Sequence, residues 1–237
     1  MIVKDIDLKE RLIVALDVAD VGEAKAIVKR CESHVHYFKV GLQLFVAGWF
    51  DTVDWIVDRG HKVMLDLKFF DIPETVKLAV QQVSGHGVSM LTIHGNDPII
   101  RAAQEEKGDI RLLAVTVLTS FGEEDMRAHG MTGSVEDLVS YRAKRAVEMG
   151  CDGLVASGLE AARLRREVGD QPLIVTPGIR PGANISPGGD DQKRIVTAAR
   201  AVADGADHVV VGRPITKAFD PLAVIETMQK EIAQALA

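Results

Sequence analysis

The sequence predicts an α/β protein folded as a single (β/α)8 TIM barrel, and three observations support this fold class. Short runs rich in Val, Ile and Leu alternate with longer amphipathic stretches along the whole chain, as repeated strand–helix units do. Eight such runs occur in 237 residues, a number and length typical of one barrel. No compositional break or long polar linker interrupts them, so we expect one domain over residues 1–237.

The eight runs are interpreted as the barrel strands. The competing architecture, a doubly wound open sheet, would favour a G-x-G-x-x-G turn after the first strand, but ALDVAD stands there. Between the runs lie helical patterns such as SVEDLVSYRAKRAVEMG, which should end at Gly150. The predicted strands are RLIVALD (11–17), YFKVG (37–41), KVMLDLK (62–68), MLTIHG (90–95), RLLAVTVL (111–118), GLVAS (153–157), LIVTPG (173–178) and HVVVGRP (208–214).

Composition narrows the function class. With 47% hydrophobic and 26% charged residues, the chain is typical of a soluble globular protein. Its apolar runs are shorter than the roughly 20 residues of a membrane span, and MIVKDIDLKERL is not a secretory signal. We therefore expect a cytoplasmic protein without a membrane partner, in which Cys31 and Cys151 are reduced thiols. A net charge of −6 disfavours a nucleic-acid surface.

Polar residues cluster where the predicted strands end. Active sites of (β/α)8 barrels are built at the C-terminal ends of the strands, so a polar residue there carries more functional weight than one elsewhere. The opposite ends carry ordinary strand starts such as Arg11, Lys62 and Arg111. The candidate site residues at the C-terminal ends are Asp17, Lys39, Asp66, Lys68, His94, Thr119, Ser157, Arg180, Gly212 and Arg213.

The third strand and the turn after it read VMLDLKFFDIPET. Residues two apart share a side of a strand, so Asp66 and Lys68 should point into the barrel mouth while the leucines beside them face the helices. An unpaired charge there would be costly, and Lys39 and Asp71 could complete a neutral network. Spacing does not orient Asp71, which lies beyond the strand in a turn set by Pro73. A purely structural salt-bridge network is the alternative interpretation.

The loops after strands seven and eight have features of a phosphate site. TPGIRPG offers glycines that let the backbone approach an anion, and in such barrels these two loops commonly bind phosphate. VVVGRP places the Gly212 N–H beside the Arg213 guanidinium, which can grip phosphate with two hydrogen bonds. Gln192, near the expected start of the next helix, could donate from its side-chain amide. The long connections 119–133 and 181–192 are expected lids or binding loops.

Taken together, six motifs resemble the orotidine 5′-phosphate decarboxylases of the bacterial type. They are ALDV, FKVG, DLKFFDIPET, VTVLTS, TPGIRP and VVVGRPIT, in the family's order, and the resemblance runs from Arg11 to Pro221. It implies a (β/α)8 barrel, a homodimer and no metal or organic cofactor. The implied activity is decarboxylation of orotidine 5′-monophosphate to uridine 5′-monophosphate, the last step of de novo UMP biosynthesis.

The resemblance also implies roles for individual residues. Lys39, Asp66, Lys68 and Asp71 would form a charged catalytic tetrad, with Lys68 as the proton donor and Asp66 also touching the substrate. Asp71 and Thr75 would reach into the neighbouring subunit's site. Of the remaining implied contacts, Asp17 and Lys39 would bind the ribose hydroxyls, Thr119 would lie near the pyrimidine, and Arg180, Gln192, Gly212 and Arg213 would form the phosphate end.

Two alternatives stay open at this point. A barrel resembling 3-keto-gulonate 6-phosphate decarboxylase would use D-x-K-x-x-D with Mg²⁺ through an enediolate, although the IPET and TPGIRP segments favour the orotidylate interpretation. A phosphosugar- or nucleotide-binding barrel without catalysis is disfavoured because all four residues of the implied tetrad are present.

Overall fold

The computed structural model describes residues 3–182 and 195–237, in which eight parallel strands close into a barrel in chain order. The ring is completed where β1 pairs with β8, with Leu12 opposite Val209. All eight predicted strands are present, and the predicted (β/α)8 fold is confirmed. The strands are β1 Leu12–Ala15, β2 Tyr37–Gly41, β3 Lys62–Phe69, β4 Met90–His94, β5 Arg111–Val115, β6 Gly153–Val155, β7 Leu173–Thr176 and β8 His208–Val211.

Helices cover the outside of the barrel. Several begin at a side-chain cap, as when Ser134 accepts a hydrogen bond from Asp137 N before α7, which satisfies a backbone donor that the first turn leaves open. The helix predicted from SVEDLVSYRAKRAVEMG is α7, and Gly150 follows it with φ +91°. The helices are α1 Leu8–Arg11, α2 Val21–Cys31, α3 Leu42–Val57, α4 Pro73–Ser84, α5 Asp97–Glu106, α6 Glu123–Ala128, α7 Val135–Glu148, α8 Ala161–Val168, α9 Ala198–Ala203, α10 Arg213–Thr216 and α11 Pro221–Leu236.

The hydrophobic core has two layers, because each strand sends alternate side chains to opposite sides. On β3, Val63, Leu65 and Leu67 join the large cluster between strands and helices. Met64 instead joins a smaller inner cluster with residues such as Met90. The predicted orientation of the β3 leucines is therefore confirmed.

The N-terminal end of the barrel is closed by buried polar groups. Asp207 accepts hydrogen bonds from Arg165 Nη2 at 2.6 Å and from Ile174 N at 2.9 Å, and it pairs with Lys4. His208 Nδ1 lies 2.9 Å from the carbonyl oxygen of Glu10, to which it donates. These contacts tie distant parts of the chain together, which is the stabilising role expected of this end.

Within residues 3–182 and 195–237, the helices are all too short or too polar to cross a membrane. Cys31 and Cys151 are free and buried. Burial raises the pKa of the Cys31 thiol to about 11 and that of Cys151 to about 12, so both remain protonated and poorly reactive near neutral pH.

Candidate active site

The site begins at an irregularity in β3. The register with β4 shifts between Leu65 and Phe69, whose partners are Leu91 and Ile93. Within this bulge Lys68 has a left-handed backbone, with φ +50°, a conformation that costs a non-glycine residue about 1–2 kcal/mol. The simple strand alternation that predicted the direction of Lys68 does not apply at this residue. The bulge nevertheless leaves Lys68 Nζ 2.8 Å from Asp66 Oδ1.

Four side chains form a row of alternating charge across the ends of β1, β2 and β3. Lys39 Nζ lies 2.7 Å from Asp17 Oδ1 and 3.5 Å from Asp66 Oδ2, and Asp66 in turn pairs with Lys68. The Asp66 side chain is 14% exposed, whereas that of Asp17 is 58% exposed. The row thus leads from solvent into the barrel mouth, as the sequence predicted for Asp66, Lys68 and Lys39.

The electrostatics keep Asp66 ionised. Burial by itself would raise the pKa of the Asp66 carboxyl, but the charges of Lys39 and Lys68 and hydrogen bonds from Lys68 and Thr92 outweigh burial and hold the pKa below its ordinary value. An ionised Asp66 holds both ammonium groups at the mouth. The arrangement therefore offers a fixed positive charge beside an enclosed space.

A cavity of about 650 Å³ lies over these charges. Its walls combine polar groups with apolar side chains such as Met64, Val155 and Val210, a mixture typical of small-molecule sites. Eight of the candidate residues line it together: Asp17, Lys39, Asp66, Lys68, Thr119, Arg180, Gly212 and Arg213.

The expected phosphate end lies where β7 and β8 finish. Gly212 precedes the short helix α10, which Arg213 begins. The backbone around Arg180 is held in place, because Arg180 N donates to the Val196 carbonyl at 3.0 Å and Val196 N to that of Gly178 at 3.3 Å. Gln192 and most of the connection 181–192 lie outside the described residues.

Two candidates at strand ends do not face the cavity. Ser157 is buried in a turn, where its N–H donates to Glu160 Oε2 at 2.9 Å. The His94 ring packs against Phe70, with centroids 4.8 Å apart, and burial together with the nearby Arg142 and Lys68 lowers the pKa of His94. His94 is half-buried and Ser157 is buried, and neither lines the cavity.

Asp71 and Thr75 also lie away from the cavity of their own chain. Asp71 is exposed in the turn before α4, where its Oδ1 accepts a hydrogen bond of 2.6 Å from Ile72 N. Thr75 is exposed in the first turn of that helix. Large apolar side chains are exposed on α3, in the turn before α4 and on α4: Leu42 (59%), Val46 (76%), Trp49 (62%), Phe70 (65%), Ile72 (67%) and Leu78 (50%).

Sequence reasoning missed two residues that shape the site. Thr92 Oγ1 donates to Asp66 Oδ1 at 2.9 Å; its position two before His94, on the inward face of β4, was the available signal. Gly41 ends β2, and a Cβ placed there would lie 2.9 Å from Asp17 Oδ1 and 3.0 Å from Lys39 Nζ. No spacing rule reveals that second constraint, because it depends on close approach in three dimensions.

Comparisons with known proteins identify the family of this chain. The family model described as "Orotidine 5'-phosphate decarboxylase / HUMPS family" matches residues 10–228. The chain belongs to this family. Proteins called orotidine 5′-phosphate decarboxylase from Methylococcus capsulatus and Stenotrophomonas maltophilia are 48% and 47% identical to it. The alignments cover 99% of this chain and 96% of the first relative, and 96% and 95% for the second.

A solved structure extends the match to three dimensions. The crystal structure of orotidine 5′-phosphate decarboxylase from Lactobacillus acidophilus superposes with a TM-score of 0.83 at 32% identity, covering 94% of this chain and 99% of that one. Membership of the orotidine 5′-phosphate decarboxylase / HUMPS family confirms the resemblance drawn from the six motifs. The names of these relatives do not favour the Mg²⁺-dependent keto-sugar alternative.

Proposed function

We propose that the cavity decarboxylates orotidine 5′-monophosphate to uridine 5′-monophosphate, the last step of de novo UMP biosynthesis. The main support is the Lys68 ammonium, which lies 2.8 Å from the largely buried, ionised carboxylate of Asp66 at the wall of a cavity. The relatives' names give the substrate class.

The chemistry explains the need for a fixed cation. When the bond between C6 and the carboxylate breaks, CO₂ leaves and the electron pair stays on C6 in an sp² orbital that the ring cannot delocalise as an enolate. Lys68 stabilises that pair as a nearby positive charge and then gives C6 a proton, which solvent later restores to the amine. Asp66 holds the Lys68 ammonium in position through the 2.8 Å contact between Oδ1 and Nζ. This scheme uses no metal or organic cofactor.

The remaining cavity residues bind the rest of the nucleotide in this proposal. Asp17 and Lys39 bind the ribose hydroxyls, and Thr119 lies beside the pyrimidine. Arg180, Gly212 and Arg213 hold the phosphate, assisted by Gln192. Binding energy from this remote phosphate then contributes to the barrier reduction at C6.

We further propose that the enzyme acts as a cytoplasmic homodimer in which Asp71 and Thr75 of each chain complete the neighbouring chain's site. Two features support this: both residues are exposed and neither lines the cavity of its own chain, and exposed apolar side chains, Phe70 and Ile72, flank Asp71 in the chain. Apolar surface of this kind marks association sites. The tetrad of Lys39, Asp66, Lys68 and Asp71 would then span two subunits.

The test of the reaction follows the absorbance of orotidine 5′-monophosphate mixed with purified, chelator-treated protein. The chelator-treated protein should convert orotidine 5′-monophosphate to uridine 5′-monophosphate as fast as the untreated protein does. No conversion, or activity on 3-keto-gulonate 6-phosphate that is lost with EDTA, would reject the proposal.

Subunit mixing tests the shared site. Lys68→Ala and Asp71→Ala homodimers should each be inactive, whereas their mixed dimer has one intact site out of two. An equal mixture at random exchange should therefore recover roughly a quarter of wild-type activity, since the interface is two-fold symmetric. No recovery despite demonstrated exchange would place Asp71 outside the shared site.

A further inference from the structure

Thr92 lies at the centre of the charged row without belonging to it. It is in the middle of β4 and has no solvent exposure. Its hydroxyl makes two contacts of equal length: Lys68 N donates to Oγ1 at 2.9 Å, and Oγ1 donates to Asp66 Oδ1 at 2.9 Å. One buried group therefore contacts both the backbone of Lys68 and the carboxylate that holds its ammonium.

The first contact bears on the backbone of Lys68. The register of β3 and β4 shifts between Leu65 and Phe69, so the regular ladder does not set the position of Lys68, whose φ is +50°. Strained conformations of this kind persist only where neighbouring groups hold them. The Thr92 hydroxyl accepts the Lys68 N–H inside that bulge and stabilises the conformation.

The second contact orients the carboxylate. A hydroxyl has a single proton to donate, and because Thr92 Oγ1 accepts from Lys68 N, that proton is directed to Asp66 Oδ1. Asp66 Oδ1 thereby accepts hydrogen bonds from both Thr92 Oγ1 and Lys68 Nζ, while Asp66 Oδ2 lies 3.5 Å from Lys39 Nζ. The rotation of the carboxylate, and with it the position of the ammonium, depends on this hydrogen bond.

We infer that Thr92 is a positioning residue for the reaction: its hydroxyl couples the strained backbone of Lys68 to the Asp66 carboxylate and so places the ammonium where charge develops. This inference rests on the proposed decarboxylation. Thr92 does not line the cavity, so its loss should reduce the rate of the chemical step rather than the affinity for the nucleotide.

The test compares Thr92→Val, which removes the hydroxyl at similar volume, with Thr92→Ser, which keeps it. Thr92→Val should lower kcat for orotidine 5′-monophosphate roughly 10- to 100-fold, since misplacement by about 1 Å can cost ~10²-fold, with KM changed less than about threefold. Thr92→Ser should keep kcat within about threefold. Losing a hydrogen bond to the carboxylate should also move the acid limb of the kcat profile of Thr92→Val to higher pH.

Thr116→Val is the matched control. Thr116 is also buried, but its hydroxyl donates to the Val155 carbonyl at 3.3 Å and touches none of the four charged residues. Its kcat and pH profile should equal those of the wild type. If Thr92→Val does not fold, Thr92→Cys replaces it in the test. Its thiol is a weaker donor and acceptor than the hydroxyl, so kcat should fall, but less than expected for Thr92→Val.

The outcomes separate this inference from the proposed function. A wild-type protein that does not turn over orotidine 5′-monophosphate overturns the proposed function and the role of Thr92 with it. An active wild type whose folded Thr92→Val or Thr92→Cys variant keeps full kcat overturns only the role of Thr92. Equal losses in Thr92→Val and Thr92→Ser, or a loss confined to KM, would do the same.

Discussion

Among single residues, Gly41 at the end of β2 comes closest to limiting the charged row on its backbone side. Lys39 Nζ and Asp17 Oδ1 are 2.7 Å apart, and Gly41 lies close beneath both. A Cβ at Gly41 would come within 2.9 Å of Asp17 Oδ1 and 3.0 Å of Lys39 Nζ. The absence of a side chain at the end of β2 therefore lets this ion pair form in its observed position.

Gly41→Ala should disturb the site without unfolding the barrel. The new methyl must displace Lys39 or Asp17 by several tenths of an ångström, so we expect kcat/KM for orotidine 5′-monophosphate to fall roughly tenfold or more. Gly85→Ala is the control, because its Cβ would have only Gln82 O within 4 Å, at 3.8 Å. Steady-state kinetics measure kcat/KM, and a thermal melt checks that the variant is folded. Unchanged kcat/KM in Gly41→Ala would mean that the ion pair of Lys39 and Asp17 tolerates the methyl group.

The site residues differ in how far sequence could predict them. The direction of Asp66 follows from strand period, and its position at a strand end marks it as a site candidate, as it does Arg180 and Gly212. The direction of Lys68 was predicted from the same period, which the bulge in β3 interrupts. The left-handed backbone of Lys68 could not be predicted, because neither lysine nor its neighbours favour that conformation. The contact of Thr92 with Asp66 depends on the register between two strands, which the residues of one strand do not determine.

At the scale of elements, the strands were predicted more reliably than their ends. The prediction for β6 was 153–157, but pairing stops at Val155 because the chain turns where Ser157 N bonds Glu160. The segment 119–133, predicted as a long loop, contains the helix α6. The alternation of apolar runs predicts which segments are buried. It does not predict where a strand ends, because strand ends depend on local hydrogen bonds.

The exposed apolar side chains of α3, α4 and the turn before α4 form the proposed subunit interface. Ile72 is 67% exposed, and a charge introduced there would have to be buried against a second chain. Ile72→Glu should therefore shift the proposed dimer toward monomer in sedimentation or size-exclusion measurements. Tyr141→Glu, at a residue 64% exposed on α7, should leave the assembly unchanged; a fully dimeric Ile72→Glu protein would remove this surface from the interface.

At the scale of the whole molecule, the two ends of the barrel have different tasks. The C-terminal ends of the strands carry the charged row and the cavity. The N-terminal end carries buried ion pairs and His208, and burial lowers the pKa of this imidazole to about 4. Charge at one end serves the proposed chemistry, whereas polar groups at the other hold the chain together and make its stability depend on pH.

His208 predicts the sign of that dependence. The ordinary pKa of histidine is about 6.5, so between that value and about 4 the unfolded chain binds a proton that the folded chain does not. Stability contributed by His208 is full above pH 6.5 and is lost as the pH falls, by about 2 kcal/mol at pH 5. Carboxyl groups with lowered pKa values, such as Asp66, add a further loss of stability at still lower pH, where they become protonated.

Urea denaturation at pH 7.5 and 5.0, at one protein concentration, measures this loss. His208→Gln should be less stable than the wild type at pH 7.5 but should lose about 2 kcal/mol less on acidification. His129→Gln, at an exposed position, is the control and should follow the wild type. Equal losses in His208→Gln and wild type would show that His208 is not the group responsible.

Lys68→Ala shows directly whether the Lys68 ammonium drives the chemical step. Turnover of orotidine 5′-monophosphate and the affinity for uridine 5′-monophosphate are measured on the same chelator-treated preparation. We expect turnover to fall by at least ~10⁴-fold, because both charge stabilisation and proton transfer are lost, while uridine 5′-monophosphate binds within about tenfold of the wild-type affinity. Turnover within about tenfold of the wild type would show that the Lys68 ammonium does not drive the chemical step.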